Sequence, residues 1–442
     1  MAYIVGEARE QVTMFPLTLD EFIPADHLCR VIEALVNGLA MQELGFVRAE
    51  PAETGRPGYD PRDLLKLYLY GYMNQLRSSR RLEAECQRNV EVMWLLGRLR
   101  PDYKSIAEFR RMHREAVKRA GAELVRLARE VGLVKGEWVA IDGSKFRAVS
   151  SAGRVKEREA LQRYLEEMDA ADAQDEVMID HSAVQAALEK LQHDPEPEAR
   201  FMRTTEGKRP AYNVQAAVDA EYGMIVAQEV TTETNDTRSL LPMAEAAKQA
   251  VRDPARLHVV ADAGYSNGEQ AARCEEQGIE PHVPANRGVN HAGDGPLFDR
   301  SEFHYEEASD TMVCPAGERL RRQQVQSARR QVVYVGEAAV CGGCPLRARC
   351  TTAARRTVKR HVYEDALQRM QQRATGEAMR LRRCVVERVF AVLKYGIFGH
   401  PRFLLRGLGG AQTEISLATM AYNLKRMIAV LGSENLRVLL AS

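Results

Sequence analysis

The chain has 442 residues, of which 45% are hydrophobic and 28% are charged, and its formal net charge is +1. These values are typical of an ordinary globular protein with about two or three domains. No apolar run approaches the roughly 18 residues that a membrane helix needs, and the first residues lack the basic and apolar regions of a secretory signal. We therefore expect a cytoplasmic protein without a membrane partner.

The small net charge is an average over regions of opposite sign. Residues 62–119 carry 14 Lys and Arg against 7 Asp and Glu, and residues 314–407 carry 20 against 6. Residues 154–199 have the opposite balance, 5 against 13. Basic regions attract a phosphate backbone, although a solvated surface would explain either region alone. Charge by itself therefore only favours a nucleic-acid partner.

The N-terminal part of the chain is predicted to be an arm followed by helices. Residues 1–60 are loosely patterned with a Pro- and Gly-rich stretch, which is typical of an arm or linker. Residues 61–133 follow a capping Asp60 and carry apolar residues at helical spacing. Short helices rich in arginine suit a DNA reader of the helix-turn-helix type, although helical bundles with other roles are common. The cations assigned to DNA here are Arg80, Arg81, Arg110 and Arg111.

The middle of the chain predicts a mixed α/β sheet. Residues 137–151 are predicted to form a strand, residues 211–233 a hairpin and residues 237–251 a helix. A strand then ends in the segment LHVVADAGYSN, and another short strand follows. Residues 154–199 are charged and lack glycine, which indicates a helical hairpin inserted into the sheet. Strands and helices in this order predict an α/β domain.

Two of these strands are predicted to end on an aspartate next to a glycine turn. Asp142 precedes Gly143, and Asp262 lies two residues before Gly264. Two carboxylates at one rim of a sheet repel each other and raise a pKa unless a cation lies between them. The alternative is that backbone N–H groups satisfy each aspartate separately.

A third acid lies in the predicted helix of residues 379–396. At 100° per residue, Arg380, Arg383, Glu387 and Lys394 fall within about 60° of one another. Such a group suits a metal-bound phosphodiester, because Glu binds the metal while Arg and Lys bind phosphate. Ion pairing on a solvated helix is the alternative. The predicted apolar face consists of Leu381, Val385, Val389 and Val392.

Four of the eight cysteines form the pattern C-x26-C-x2-C-x5-C. They are Cys314, Cys341, Cys344 and Cys350. In an intracellular chain this spacing indicates metal rather than disulfides, and four thiolates complete a structural Zn²⁺ site that would fold a small basic insert. An iron–sulfur cluster uses the same ligands, but the spacing differs from that of ferredoxins. Four free thiols are the third interpretation.

Several segments agree in order and spacing with one family. They are AIDGSKF, YNVQAAVD, NDTRSLLPM, VVADAGYSN, RRCVVERVFAVLK, RFLLRGL and MAYNLKRM. From about residue 60 onward the chain resembles bacterial insertion-sequence transposases of the DDE type. One group of these carries Tyr-x2-Arg-x3-Glu-x6-Lys around its glutamate. Arg383, Glu387 and Lys394 fit this signature, whereas Arg380 stands at the tyrosine position.

The resemblance implies a ribonuclease H-like catalytic core with two metal ions. Asp142, Asp262 and Glu387 would bind two Mg²⁺ ions, or Mn²⁺ in their place, for in-line attack on a phosphodiester. The implied activity is that of a transposase, which binds terminal inverted repeats, cleaves DNA strands and joins them to target DNA. We expect a homodimer on double-stranded DNA, associated with the bacterial nucleoid.

Further contacts with DNA are expected near the three acids. Arg380, Arg383 and Lys394 would bind phosphate. Tyr265 follows Asp262 closely and could stack on a flipped base, although a core tyrosine is the commoner case.

The predicted organisation has five parts. They are an arm at 1–60, a helical DNA-binding region at 61–133, the first part of the core at 134–295 with an acidic helical insertion at 154–199, a basic cysteine-rich insert at 296–362, and the second part of the core with C-terminal helices at 363–442.

Two other functions remain open from the sequence. One is a domesticated or defence-associated endonuclease without transposition, and the other is a non-catalytic zinc-dependent regulator that binds DNA.

Overall fold

The computed structural model describes residues 18–50, 58–172, 181–285, 291–292, 295–327 and 331–441. Among these residues, no helix combines the length and the apolar character that crossing a membrane requires.

The N-terminal region is a bundle of helices. Its helices are α1 Leu28–Asn37, α2 Pro61–Met73, α3 Ser79–Arg88, α4 Val90–Leu95, α5 Tyr103–Met112 and α6 Arg114–Glu130. Helix α2 begins as predicted, because the Asp60 side chain accepts the N–H of Arg62 at 2.8 Å and proline occupies the first turn. Nearly every residue of α2 is buried, so this helix lies inside the bundle.

The expectation of a loose arm over residues 1–60 is wrong for part of this range. Residues 28–37 form α1, whose buried side chains Cys29, Ile32 and Leu35 recur at helical spacing. Helix α1 contacts α2 and the C-terminal helix of residues 433–441. Apolar residues three and four positions apart therefore anchor this segment in the core. Residues 1–17 and 51–57 of the predicted arm lie outside the described residues.

A six-stranded mixed sheet forms the centre of the molecule. Its strands are β1 Trp138–Arg147, β2 Arg200–Thr204, β3 Gly207–Asp219, β4 Ile225–Thr231, β5 Leu257–Val260 and β6 Ile279–His282. Strand β3 is antiparallel to β1, β2 and β4, while β5 is parallel to β1 and β6 is parallel to β5. An antiparallel unit followed by two parallel strands on the other side of β1 is the ribonuclease H-like arrangement. The predicted fold class is confirmed.

Helices cover this sheet and interrupt it. The predicted insertion forms α7 Ala152–Asp172 and α8 His181–Gln192, and residues 173–180 lie outside the described residues. The remaining helices of the core are α9 Leu240–Ala250, α10 Gly268–Glu276, α13 Glu364–Arg373, α14 Gly376–Ala391, α15 Gly407–Leu431 and α16 Ser433–Ala441. A π-helical turn, Val392–Ile397, follows α14 directly.

Helix α15 joins the N-terminal bundle to the sheet. It contacts α2, α6 and β4, and its Glu414 forms a buried ion pair with Arg77 at 2.9 Å. The side chain of Asn423 accepts the N–H of Ile225 and donates to its carbonyl. The helical bundle and the central sheet consequently share one hydrophobic core.

The cysteine-rich region contains a second, five-stranded antiparallel sheet that the sequence did not predict. Its strands are β9 His304–Glu306, β10 Thr311–Val313, β11 Arg319–Gln326, β12 Gln331–Val335 and β13 Thr357–His361, preceded by the short pair β7 His291–Ala292 and β8 Gly295–Pro296. Two short helices, α11 Ala338–Gly342 and α12 Arg347–Cys350, connect β12 to β13. This sheet has a small core of its own, made of Phe303, Met312, Leu320, Tyr334 and Val358.

Candidate active site

The register of two parallel strands brings Asp142 and Asp262 to the same place. Ala140 of β1 lies opposite Val260 of β5, and each aspartate lies two residues beyond this pair. Because side chains alternate along an extended chain, both aspartates leave the same face of the sheet. This is the juxtaposition that the sequence predicted.

The expectation that Asp142 ends its strand is wrong. Strand β1 continues to Arg147, paired with β3 over its whole second half. Only the shorter strand β5 stops, at Val260, and Asp262 then caps a 3-10 turn. Asp142 therefore stands in the middle of a long strand, where its neighbour β5 has already ended.

Each aspartate uses its two oxygens for different partners. Oδ1 of Asp142 accepts the N–H of Gly143 at 2.9 Å, and Oδ1 of Asp262 accepts the N–H of Gly264 at 2.8 Å. The two Oδ2 atoms face the same Nη2 of Arg382, at 2.9 Å from Asp142 and 3.6 Å from Asp262. Backbone satisfaction and a shared cation, which the sequence left as alternatives, occur together.

The surroundings shift the pKa of Asp142 and that of the nearby Lys394. Burial raises the pKa of Asp142 to about 6, opposed by Arg382 and the Gly143 N–H and reinforced by the charge of Asp262. Burial also lowers the pKa of Lys394, and the nearby Asp142 opposes that effect. Such a carboxylate pair needs positive charge beside it. Two hard oxygen donors aimed at one cation are also the ligands that Mg²⁺ prefers.

A further carboxylate, Asp236, lies beside the pair and was not selected from the sequence. Its Oδ1 accepts from the side chains of Asn213 and Gln215, each at 2.7 Å, and from Lys145 at 3.2 Å. A Cβ built on Gly143 would lie 2.7 Å from this oxygen, so a larger residue could not occupy that position without displacing it. Asp236 belongs to the segment NDTRSLLPM, but its own spacing gave no signal.

The structure does not bring Glu387 to the aspartates. Arg382 lies in line with the buried Val386 and Val389 of α14, whereas Glu387 lies about 140° around the helix from Arg382 and is exposed. Among the described residues, one group of three His, Cys, Asp or Glu side chains has its ligand atoms within 4.8 Å of one another, and it lies elsewhere. The role of Glu387 as the third metal ligand stays a prediction.

The predicted phase of this helix is wrong in two respects. Leu381 and Val385 are only half-buried, whereas Val386 is fully buried, so the apolar face is turned relative to the expected one. The regular helix also ends at Ala391, and in the π-helical turn Lys394 points its ammonium at the Phe146 ring, 5.9 Å from its centre. The expected common face of cations and Glu387 is therefore broken before Lys394.

Two residues assigned to DNA are buried. Tyr265 has no exposed surface and its hydroxyl donates to Oε1 of Gln215, so its ring offers no face for a flipped base. Arg110 is 4% exposed, lies over the Tyr68 ring at 5.2 Å and donates to the carbonyl of Arg77. Both contribute to the core instead. The other assigned arginines are exposed: Arg80, Arg81, Arg111, Arg380 and Arg383.

The four predicted cysteine ligands line one cavity of about 710 Å³ in the insert. They are Cys314, Cys341, Cys344 and Cys350, and all are free thiols. Burial raises the pKa of Cys350, Arg356 opposes this, and the other three thiols add to it. No three of these described sulfur atoms lie within 4.8 Å of one another. Four soft thiols around one cavity nevertheless form a donor set that suits zinc.

Two family models match the chain. One, described as a transposase DDE domain, matches residues 139–424, and another, described as a transposase domain (DUF772), matches residues 17–112. The chain belongs to the DDE transposase family. This DNA transposase catalyses metal-dependent cleavage and transfer of DNA strands, with divalent ions that are generally Mg²⁺. The match favours this function over the endonuclease and the regulator.

Other comparisons add little to this assignment. The search of curated proteins gave no match. Among solved structures, the piggyBac transposase in a synaptic complex with hairpin DNA is 8% identical, with a TM-score of 0.36, covering 94% of this chain and 78% of that one. No inference about this transposase follows from a likeness that weak.

Proposed function

We propose that Asp142 and Asp262 hold the divalent ions with which this transposase cuts and joins DNA. The main support is the pair of Oδ2 atoms that share the Arg382 guanidinium, while backbone N–H groups fix both Oδ1 atoms. Two oxygens are thus presented together to a cation. Bound there, the ions would activate the attacking water or 3′-hydroxyl and stabilise the leaving oxygen.

Glu387 is proposed as the third ligand on the basis of the signature that it shares with Arg383 and Lys394. Since Glu387 faces solvent, it reaches the aspartates only after α14 turns about its axis and Arg382 leaves them. The π-helical turn Val392–Ile397 follows α14 directly, and such turns, although rare, are frequently found at functional sites. Asp236, which already lies beside the pair, is the competing candidate.

The helical region of residues 61–133 is proposed to bind the terminal inverted repeats. The exposed guanidinium groups of Arg80, Arg81 and Arg111 support this role, because phosphate contacts supply most of the affinity of DNA-binding proteins. Arg380 and Arg383, exposed on α14, would contact the strand being cut. Two ends must be held together during transposition, so we propose a homodimer on DNA.

The four cysteines are proposed to hold a structural Zn²⁺, with an iron–sulfur cluster as the alternative. The observation in favour is the small core of the insert, since a cluster of five buried side chains is small for a sheet of five strands. Small domains with so little core usually depend on a metal or on disulfides. In this position the metal would fold the insert rather than take part in the reaction.

The test of the catalytic proposal is substitution of each aspartate by its amide. In Asp142→Asn and Asp262→Asn, Mg²⁺-dependent cleavage of a duplex carrying the ends of the element should fall by more than about 100-fold. DNA binding and thermal stability should persist, because the amide keeps the shape of the side chain and removes a charge from a repelling pair. Asp26→Asn, at an exposed position, is the matched control. Cleavage that survives in either variant would remove that aspartate from the site.

A further inference from the structure

A second cluster of ligand-type side chains lies on β5 and β6, away from Arg382. His258 of β5 lies opposite Glu280 of β6, and His282 follows Glu280 by two residues on the same face. Among the described residues, these three form the group whose ligand atoms all lie within 4.8 Å of one another. Nothing in the strand-transfer reaction accounts for this arrangement.

Two of the distances within the cluster are compatible with a coordination sphere as well as with hydrogen bonds. Nδ1 of His258 lies 3.2 Å from Nε2 of His282 and 3.3 Å from Oε2 of Glu280. A tetrahedral ion with bonds of about 2.0–2.1 Å separates its ligand atoms by about 3.3–3.4 Å. The exposed Arg256 pairs with the other oxygen of this carboxylate, Oε1, and Oε2 is the oxygen that approaches His258.

The orientation of His282 is fixed by a backbone carbonyl. Its Nδ1 lies 2.9 Å from the carbonyl oxygen of Arg373 and donates its proton there. Nε2 is then unprotonated and directs a lone pair toward His258 and Glu280. A histidine that can ligate through one ring nitrogen and donates the N–H of the other to a carbonyl is a common arrangement around protein-bound metals.

The cluster is packed against the core on one side and is accessible to solvent on the other. His282 is buried at 8% exposure, and the ring of His258 stacks on Trp138 with centres 4.4 Å apart. The side chains of His258 and Glu280 keep about a quarter of their surface exposed. An ion could therefore enter from solvent, and water could complete its coordination.

We propose that His258, Glu280 and His282 bind a transition-metal ion of the class of Zn²⁺, Co²⁺ or Ni²⁺. Two imidazoles and one carboxylate suit these ions, whereas Mg²⁺ takes oxygen ligands. The bound ion would cross-link β5, which leads into Asp262, to β6. Through His282 and Arg373 it would also hold the end of α13, directly before the helix that carries Arg382. The site is structural and separate from both the catalytic pair and the four cysteines.

Fluorescence of Trp138 tests the proposal directly. The chain has two tryptophans, so Trp94→Phe leaves Trp138, beside the site, as the only tryptophan, which can be excited selectively over the tyrosines. Titration of this full-length variant with Co²⁺, which is paramagnetic, should quench the emission saturably, and excess Zn²⁺ should restore it. Adding His282→Gln should raise the Co²⁺ midpoint by about 100-fold or more, above the 10–100-fold cost of losing an outer-shell partner.

Three further variants show whether the quenching ion is bound at this cluster or elsewhere in the chain. Cys341→Ser with Cys344→Ser should leave the quenching unchanged, because those thiols lie in the insert. His304→Gln, an exposed histidine, should also have no effect. If His282→Gln fails to fold, Glu280→Gln gives the same test at a more exposed position. Absence of quenching, quenching that depends on the cysteines, or an unchanged midpoint without the histidine or glutamate ligand would each overturn the proposal.

Discussion

The two sheets of this transposase differ in what holds them together. Strand β3 of the central sheet is buried continuously from Pro210 to Asp219, and helices complete the surrounding core. Strand β11 of the insert is exposed at nearly every position, and the buried cluster of its sheet contains five side chains. The central sheet buries enough apolar surface to fold without a metal. We infer that the insert does not, so that metal serves chemistry in one sheet and folding in the other.

Their carboxylates show the same contrast. In the central sheet, burial raises the pKa of Asp142 to about 6. In the insert, the Tyr334 hydroxyl, Arg322 and Tyr305 together hold the pKa of Asp310 below its usual value, on a side chain that is 40% exposed. Burial therefore disfavours the charged form of Asp142, as is typical of functional sites. The surroundings of Asp310 instead favour its charged form. Substitutions in each sheet should therefore have different consequences.

The largest expected effect concerns chemistry in the central sheet. Glu387→Gln should lower Mg²⁺-dependent strand cleavage by more than about 100-fold, because a metal ligand is lost while the helix surface is otherwise unchanged. Binding to a duplex bearing the element ends should be retained. Glu377→Gln, exposed on the same helix, is the matched control and should cleave normally.

Asp236→Asn decides between the two candidates for the third acid. If Glu387 is the ligand, this variant should keep measurable cleavage, because Asp236 then only positions the neighbouring side chains. Loss of cleavage in Asp236→Asn together with normal cleavage in Glu387→Gln would assign the third ligand to Asp236.

A smaller effect, confined to the insert, is expected from its cysteines. The double variant Cys341→Ser and Cys344→Ser should lose bound metal and become sensitive to protease within residues 296–362. The loss is a part of the roughly 10 kcal/mol that structural zinc contributes in small domains. The thermal transition of the central sheet should remain. Cys384→Ser, at an exposed position, should change neither metal content nor protease resistance. Equal resistance and no bound metal in the unsubstituted protein would leave the insert without a metal.

The predictions from sequence succeeded where local pattern was enough. Two predicted strands, each with an aspartate beside a glycine turn, placed Asp142 near Asp262, although Asp142 lies within its strand rather than at its end. The spacing of the four cysteines was enough to predict that they lie together, and they line one cavity. The insert sheet was missed because β11, Arg319–Gln326, is mainly polar and shows no alternation of apolar residues.

Sequence reasoning failed where the phase of a helix decided the outcome. The prediction took Val385 rather than Val386 as the buried residue, so the predicted orientation of α14 about its axis was wrong. For that reason Arg382 was not predicted as the partner of the aspartates. The π-helical turn also places Lys394 off the helix face predicted to carry Glu387, and no pattern in the sequence predicts such a turn. Asp236 depends on contacts with Asn213 and Gln215 of a distant strand, which local spacing cannot reveal.

The smallest expected effect compares one buried tyrosine from each sheet. The Tyr265 hydroxyl donates to Gln215, which has no exposed surface, whereas the Tyr334 hydroxyl donates at 2.6 Å to Asp310, whose side chain is 40% exposed. Tyr265→Phe leaves a buried amide oxygen without a donor and should cost about 1–3 kcal/mol of unfolding free energy. Tyr334→Phe should cost about 1 kcal/mol or less, because water can replace the hydroxyl at an exposed carboxylate.

Denaturant unfolding of both variants measures this difference, with the exposed Tyr395→Phe as the control. The unfolding of the insert must be followed by a local probe, such as protease sensitivity within residues 296–362, since it need not coincide with the main transition. A larger loss in Tyr334→Phe than in Tyr265→Phe would mean that Asp310 holds the insert together more strongly than its exposure suggests. In that case polar contacts, rather than a metal, would supply the stability that the small core of the insert lacks.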